Sequence, residues 1–149
     1  MADKNVSTLN DLIEISRDGE AGFRKAAEDA HSPDLKTLFA SRAAEIGAAV
    51  MELQSEVAAL GGKPEDSGTI SGALHRGWMS LREAVSSRDD KVILEETEKG
   101  EDIAKQRYAE ALQESELAPN VRLLIERQYQ GVLRNHDLIR DMRNRYRAA

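Results

Sequence analysis

Glu20 and Glu101 are the residues best placed to do chemistry. Each follows a glycine, in Gly19-Glu20 and Gly100-Glu101, and each falls on the apolar stripe of its own predicted helix. A carboxylate on a core-facing stripe is costly unless a metal ion, a cation or a proton compensates it. In helical bundles that handle dioxygen, two helices supply one Glu each. The other two supply Glu-x-x-His, because positions i and i+3 project together. Glu20 and Glu101 suit the first role, and Tyr108 follows Glu101 on the same face. The second role is only half written: Glu45 has Ala48 where a histidine belongs, and His136 has Leu133 where a glutamate belongs. The candidate metal ligands are therefore Glu20, Glu45, Glu101 and His136, enough for one iron or manganese ion and short of a di-iron centre.

A polar core network needs no cofactor. Arg42 lies on the stripe of the second predicted helix, and Gln128 and Asn135 lie on that of the last. A guanidinium facing Glu20 and Glu101 satisfies both charge and hydrogen bonding. The incomplete ligand set favours this network, so no cofactor is expected.

Two other patches carry polar chemistry. In His75-Arg76-Gly77-Trp78, His75 is a ligand reaching inward or a partner for a loop or helix end, and Trp78 packs a short helix onto the bundle. Arg134, Arg140, Arg143, Arg145 and Arg147 make the last helix basic. Cations at a helix C-terminus complement its dipole, and the sharper alternative is an anionic partner.

The elements that must position these groups are long amphipathic helices. The first runs from a cap at Ser7 or Thr8 to about Ala30, with Leu9, Leu12, Ile13, Ser16, Glu20, Phe23 and Ala27 at a helical period. Ser32-Pro33-Asp34 opens the second, which runs to Leu60 and stops at Gly61-Gly62. Lys63 to Gly68 reads as loop, and Ile70, Leu74, Trp78, Leu81 and Val85 mark a short helix. Asp89 or Asp90 caps the third long helix, which reaches about Glu114, and Pro119 starts the fourth. The short connections make antiparallel hairpins of the first and second helices and of the third and fourth. The stretch from Gly61 to Arg88 joins the hairpins as one long crossover, which is the ferritin-like arrangement.

Composition agrees with an all-α, ferritin-like four-helix bundle forming a single domain over residues 1–149. Aromatics are 4% and charged residues 32% of the chain, so Leu, Ile, Val and Ala must build the core. The net charge of −6 disfavours nucleic acid as a partner. The absence of Cys removes disulfide, thiol and iron–sulfur chemistry. There is no leader-like segment at Met1 to Asn10 and no apolar run long enough for a membrane, so a cytoplasmic location is expected.

The segments Asp18-Gly19-Glu20-Ala21-Gly22-Phe23, His75-Arg76-Gly77-Trp78-Met79, Gly100-Glu101-Asp102 and Arg134-Asn135-His136-Asp137 resemble a bacterial four-helix-bundle family of unknown function in the ferritin-like superfamily. The resemblance covers about Ser7 to Arg143. It implies the fold and a distant relation to rubrerythrins and stress-associated ferritin-like proteins, without bringing an established activity. Compared with di-iron relatives, Glu20, Glu45, Glu101 and His136 have counterparts here. The expected function is non-enzymatic, acting through self-association or a protein partner. The alternative is an iron- or manganese-binding oxidoreductase or storage protein.

Overall fold

The computed structural model describes residues 3–65 and 89–148. Among them lie four long helices and no strand: α1 (Asp3–Asp29), α2 (Pro33–Ala59), α3 (Asp90–Ala111) and α4 (Pro119–Ala148). The short helix expected from Ile70 to Val85, the His75-Arg76-Gly77-Trp78 patch and the crossover fall outside the described residues. Helix α1 begins earlier than its capping residues suggest: Ser7 and Thr8 already lie inside it, so neither caps it.

The α1–α2 turn is held from outside. Ser32 is extended ahead of Pro33 and its own side chain caps nothing. The carboxylate of Asp90, at the start of α3, instead accepts the backbone N–H groups of His31 at 2.7 Å and Ser32 at 2.9 Å. The neighbouring Asp89 caps α3 by accepting from the Lys91 amide at 3.0 Å. At the other end of α2, Gly61 takes φ 81°, a left-handed conformation that lets the Gly62 amide return to the Val57 carbonyl at 3.0 Å. Gly62 then lies so close to α1 that a Cβ there would stand 2.8 Å from both methyls of Val6.

These contacts fix the helix directions. The end of α2 meets the start of α1, and the Phe23 and Phe39 rings meet near the turn, 5.9 Å apart, so α1 and α2 are antiparallel. Helices α3 and α4 are antiparallel as well, through Tyr108 with Gln128, Asp102 with His136 and Arg147 with Glu95. Arg122 closes their connection by donating to the carbonyls of Leu112, the C-cap of α3, and Glu114 in the turn beyond it. Helix α1 also runs antiparallel to α3, touching it through Ser16 and Tyr108 and through the turn at Asp90. It follows that α2 and α3 point the same way.

The core is aliphatic, as the composition requires. Leu9, Leu12 and Ile13 of α1, Leu35, Val50, Leu53 and Val57 of α2, Ile93 and Leu94 of α3, and Val121, Ile125 and Ile139 of α4 are buried together. Helices α2 and α4 pack least tightly of the neighbouring pairs, and the polar centre opens between them. No helix among the described residues is long and apolar enough to cross a membrane.

Candidate functional site

At the centre of the structure Arg42 of α2 donates from Nε to Oε1 of Glu101 on α3 at 2.9 Å. Both side chains are withdrawn from water, with 7% and 2% of their surface exposed. Oε2 of Glu101 is buried with no hydrogen-bond partner. Burial pushes the Glu101 carboxyl above its ordinary value, and the charge and hydrogen bond of Arg42 act in the other direction. The outer guanidinium nitrogens are less engaged: Nη1 stands 4.0 Å from Oε2 of Glu45, too far for a hydrogen bond.

A second polar chain crosses the bundle beside this pair. The Tyr108 hydroxyl donates to Oε1 of Gln128 at 2.8 Å, with Ser16 Oγ at 3.5 Å on its other side. Burial pushes the Tyr108 phenol up to about 12, so it stays protonated and acts as a donor. Gln128 in turn donates from Nε2 to the Ala49 carbonyl at 3.2 Å and to Oε1 of Glu52 at 2.9 Å. Hydrogen bonding from Arg127 holds the Glu52 carboxyl below its ordinary value.

The four candidate ligands separate. Glu101 sits at the centre as expected. Glu45 approaches it from the rim, with about half of its side chain exposed and the Asn135 amide 3.4 Å from Oε2. Glu20 turns to its own helix, where it accepts from Arg17 at 3.2 Å and Arg24 at 3.0 Å. Its carboxylate lies over Gly47 of α2, where a Cβ would come within 2.9 Å of Oε2. The expectation that Arg42 faces both glutamates therefore holds for Glu101, whereas Glu20 takes its cations one turn either side. His136 is near enough to Glu101 to act on it electrostatically, but its Nε2 pairs with Asp102.

This donor set fits a metal ion poorly. A divalent ion on Glu101 would share that carboxylate with a fixed guanidinium, and like charges at that distance repel. Among the described residues no three His, Cys, Asp or Glu side chains converge as metal ligands do.

One buried pair has no place in the stripe analysis. Glu98 of α3 pairs with Arg143 of α4, both largely covered. Together with Asp102–His136 and Glu95–Arg147 it forms a ladder along the α3–α4 seam. The spacing contains the signal: Glu95, Glu98 and Asp102 share one helix face, and so do His136, Arg143 and Arg147. Much of the basic end of α4 is thus neutralised within the chain. Arg140, too, faces Asp137 and Asp141.

Small residues hollow out the space around the centre. Gly19 of α1, Ala49 of α2, Gly100 of α3 and Gly131 of α4 border a cleft of about 470 Å³, with Arg42 and Glu101 in its wall and Glu45, Glu52 and Arg127 also lining it. No curated protein matches the chain. A family match covers residues 4–114, which takes in Arg42, Glu45, Glu101 and Tyr108, and ends before α4. The chain belongs to the family described as a domain of unknown function, DUF2383.

Proposed function

We propose that the protein is a non-enzymatic, ferritin-like four-helix bundle in which an arginine–glutamate pair stands where related bundles hold metal, and that it acts by associating with a second copy or a protein partner. The observation that carries this reading is the buried bond from Arg42 Nε to Glu101 Oε1. A buried carboxylate needs one compensating partner, and here a side chain of the same chain supplies it. The ferritin-like assignment is supported by two antiparallel hairpins whose inner helices, α2 and α3, run in the same direction. Association rests on exposed apolar side chains that a partner would cover: Met51 of α2, 69% exposed, and Leu123 and Leu138 of α4, 66% and 45% exposed.

Protein expressed in medium supplemented with iron and manganese, then analysed for metal and for mass by light scattering, tests the reading. The expected result is substoichiometric metal and a species larger than one chain. One ion per chain, lost in Glu101→Ala, would overturn it.

One observation favours the metal-binding alternative: Oε2 of Glu101 is buried without a partner, as a ligand awaiting an iron or manganese ion would be. The same metal analysis decides between the two.

A further inference from the structure

The cleft at the bundle centre is large enough for a small molecule. Its volume, about 470 Å³, lies in the range of small-molecule sites, which are mostly apolar with a few convergent polar groups. Ile15, Ile46 and Val132 give it apolar walls, and Arg42 is its buried cation.

The charges around the cleft select the head group. Glu52 and Arg127 offset each other. That leaves Arg42 facing Glu101 at 2.9 Å and Glu45 at 4.0 Å. A carboxylate ligand would bring a third negative charge to one guanidinium. An ammonium ligand would have to settle against that guanidinium. A neutral carbonyl meets neither objection, since it accepts from the outer N–H groups of Arg42 without adding charge. The 4.0 Å gap between Arg42 Nη1 and Glu45 Oε2 is too long for a direct bond. It suits a group that carries an acceptor and a donor side by side.

We propose that this cleft binds a small neutral molecule with an aliphatic body and a carboxamide head, its carbonyl on Arg42 and its N–H on Glu45. The proposal rests on the ion-pair reading of the core. The two fail separately: a metal-held core shows as chelator-sensitive melting, which ligand titration does not report.

Titration of the ¹⁵N-labelled protein with hexanamide, hexanoate and hexylammonium tests it. Hexanamide is expected to shift the backbone amide signals of Gly19, Gly100 and Gly131, with hexanoate and hexylammonium at least tenfold weaker. Ala49→Leu and Ala104→Leu each narrow the cleft they line and leave Arg42 and Glu101 unsubstituted, and each should weaken hexanamide at least tenfold. Dispersed spectra identify the folded variants, and if one variant fails to fold the other decides. If both fail, selectivity among the three probes decides. No shift with hexanamide, equal response to all three probes, or unchanged affinity in a folded leucine variant overturns the proposal.

Discussion

Arg42 and Glu101 are 59 positions apart in sequence and share one buried hydrogen bond of 2.9 Å at the centre of the helices. Neither residue finds a hydrogen-bond partner on its own helix, so the bond forms only when α2 and α3, from different hairpins, face each other across the centre. That makes the pair a reporter of the whole arrangement and a constraint on what the centre can bind.

Glu101 should make stability depend on pH in a direction opposite to an ordinary paired carboxylate. Its folded value is raised, chiefly by burial, above the ordinary 4.5. The folded state then holds the proton that the unfolded state releases, so the Glu101 contribution is present at low pH and is lost as pH rises from 4.5 through the raised value. Glu52, lowered by Arg127, works the other way, and its share is lost as pH falls through its lowered value. The urea midpoint of wild type, taken relative to that of Glu101→Gln, should fall as pH rises through the raised value. A difference that stays flat with pH contradicts the raised value.

Tyr108→Phe should cost about 1–3 kcal/mol, the penalty for leaving a buried acceptor unpaired. The acceptor is Oε1 of Gln128, which receives the hydroxyl at 2.8 Å. Chemical denaturation measures the loss, and Tyr108→Phe combined with Gln128→Leu should recover part of it.

The glycines should separate by what surrounds them. At Gly131 an added Cβ meets only the end of the Arg134 side chain, at 3.7 Å. Helix propensity then decides, and Gly131→Ala should stabilise by about 0.8–1 kcal/mol. Gly62→Ala must push into the Val6 methyls at 2.8 Å and should destabilise. Gly47→Ala displaces only the flexible end of Glu20, so its gain should fall below that of Gly131→Ala. Melting temperatures of the three variants give the order directly.

Asp90→Ala removes two charge-assisted bonds to the amides of His31 and Ser32. Because water can reach part of this turn, the loss should be about 1.5 kcal/mol, at the low end for bonds to a charged group. Hydrogen exchange at the His31 and Ser32 amides should quicken. Unchanged exchange there contradicts the tie between the turn and α3.

The helices were legible because their signals are local. Pro33, the Gly61-Gly62 stop, Asp89 and Pro119 each act within one turn of chain, and the aliphatic stripes repeat at the helical period. The start of α1 was misjudged because Ser7 and Thr8 are as compatible with a helix interior as with a cap. Arg42 as the partner of Glu101 was legible from its stripe position. The position of Glu20 was not, because its neighbours Arg17 and Arg24 could equally have faced solvent; only the absence of a side chain at Gly47 shows how the carboxylate is seated. The Glu98–Arg143 pair was missed because neither residue lies on an apolar stripe, and its meaning appears only when the two helix faces are set against each other.

The most direct test is a double-mutant cycle on the central pair. Unfolding free energies are measured for wild type, Arg42→Met, Glu101→Met and the double variant, each with and without chelator. Each single change should cost about 3–5 kcal/mol by orphaning a buried charge, and the double variant should cost much less than the sum. Chelator should change nothing. Single losses that simply add, or a wild type that melts earlier in chelator, would contradict an ion pair at the centre of this protein.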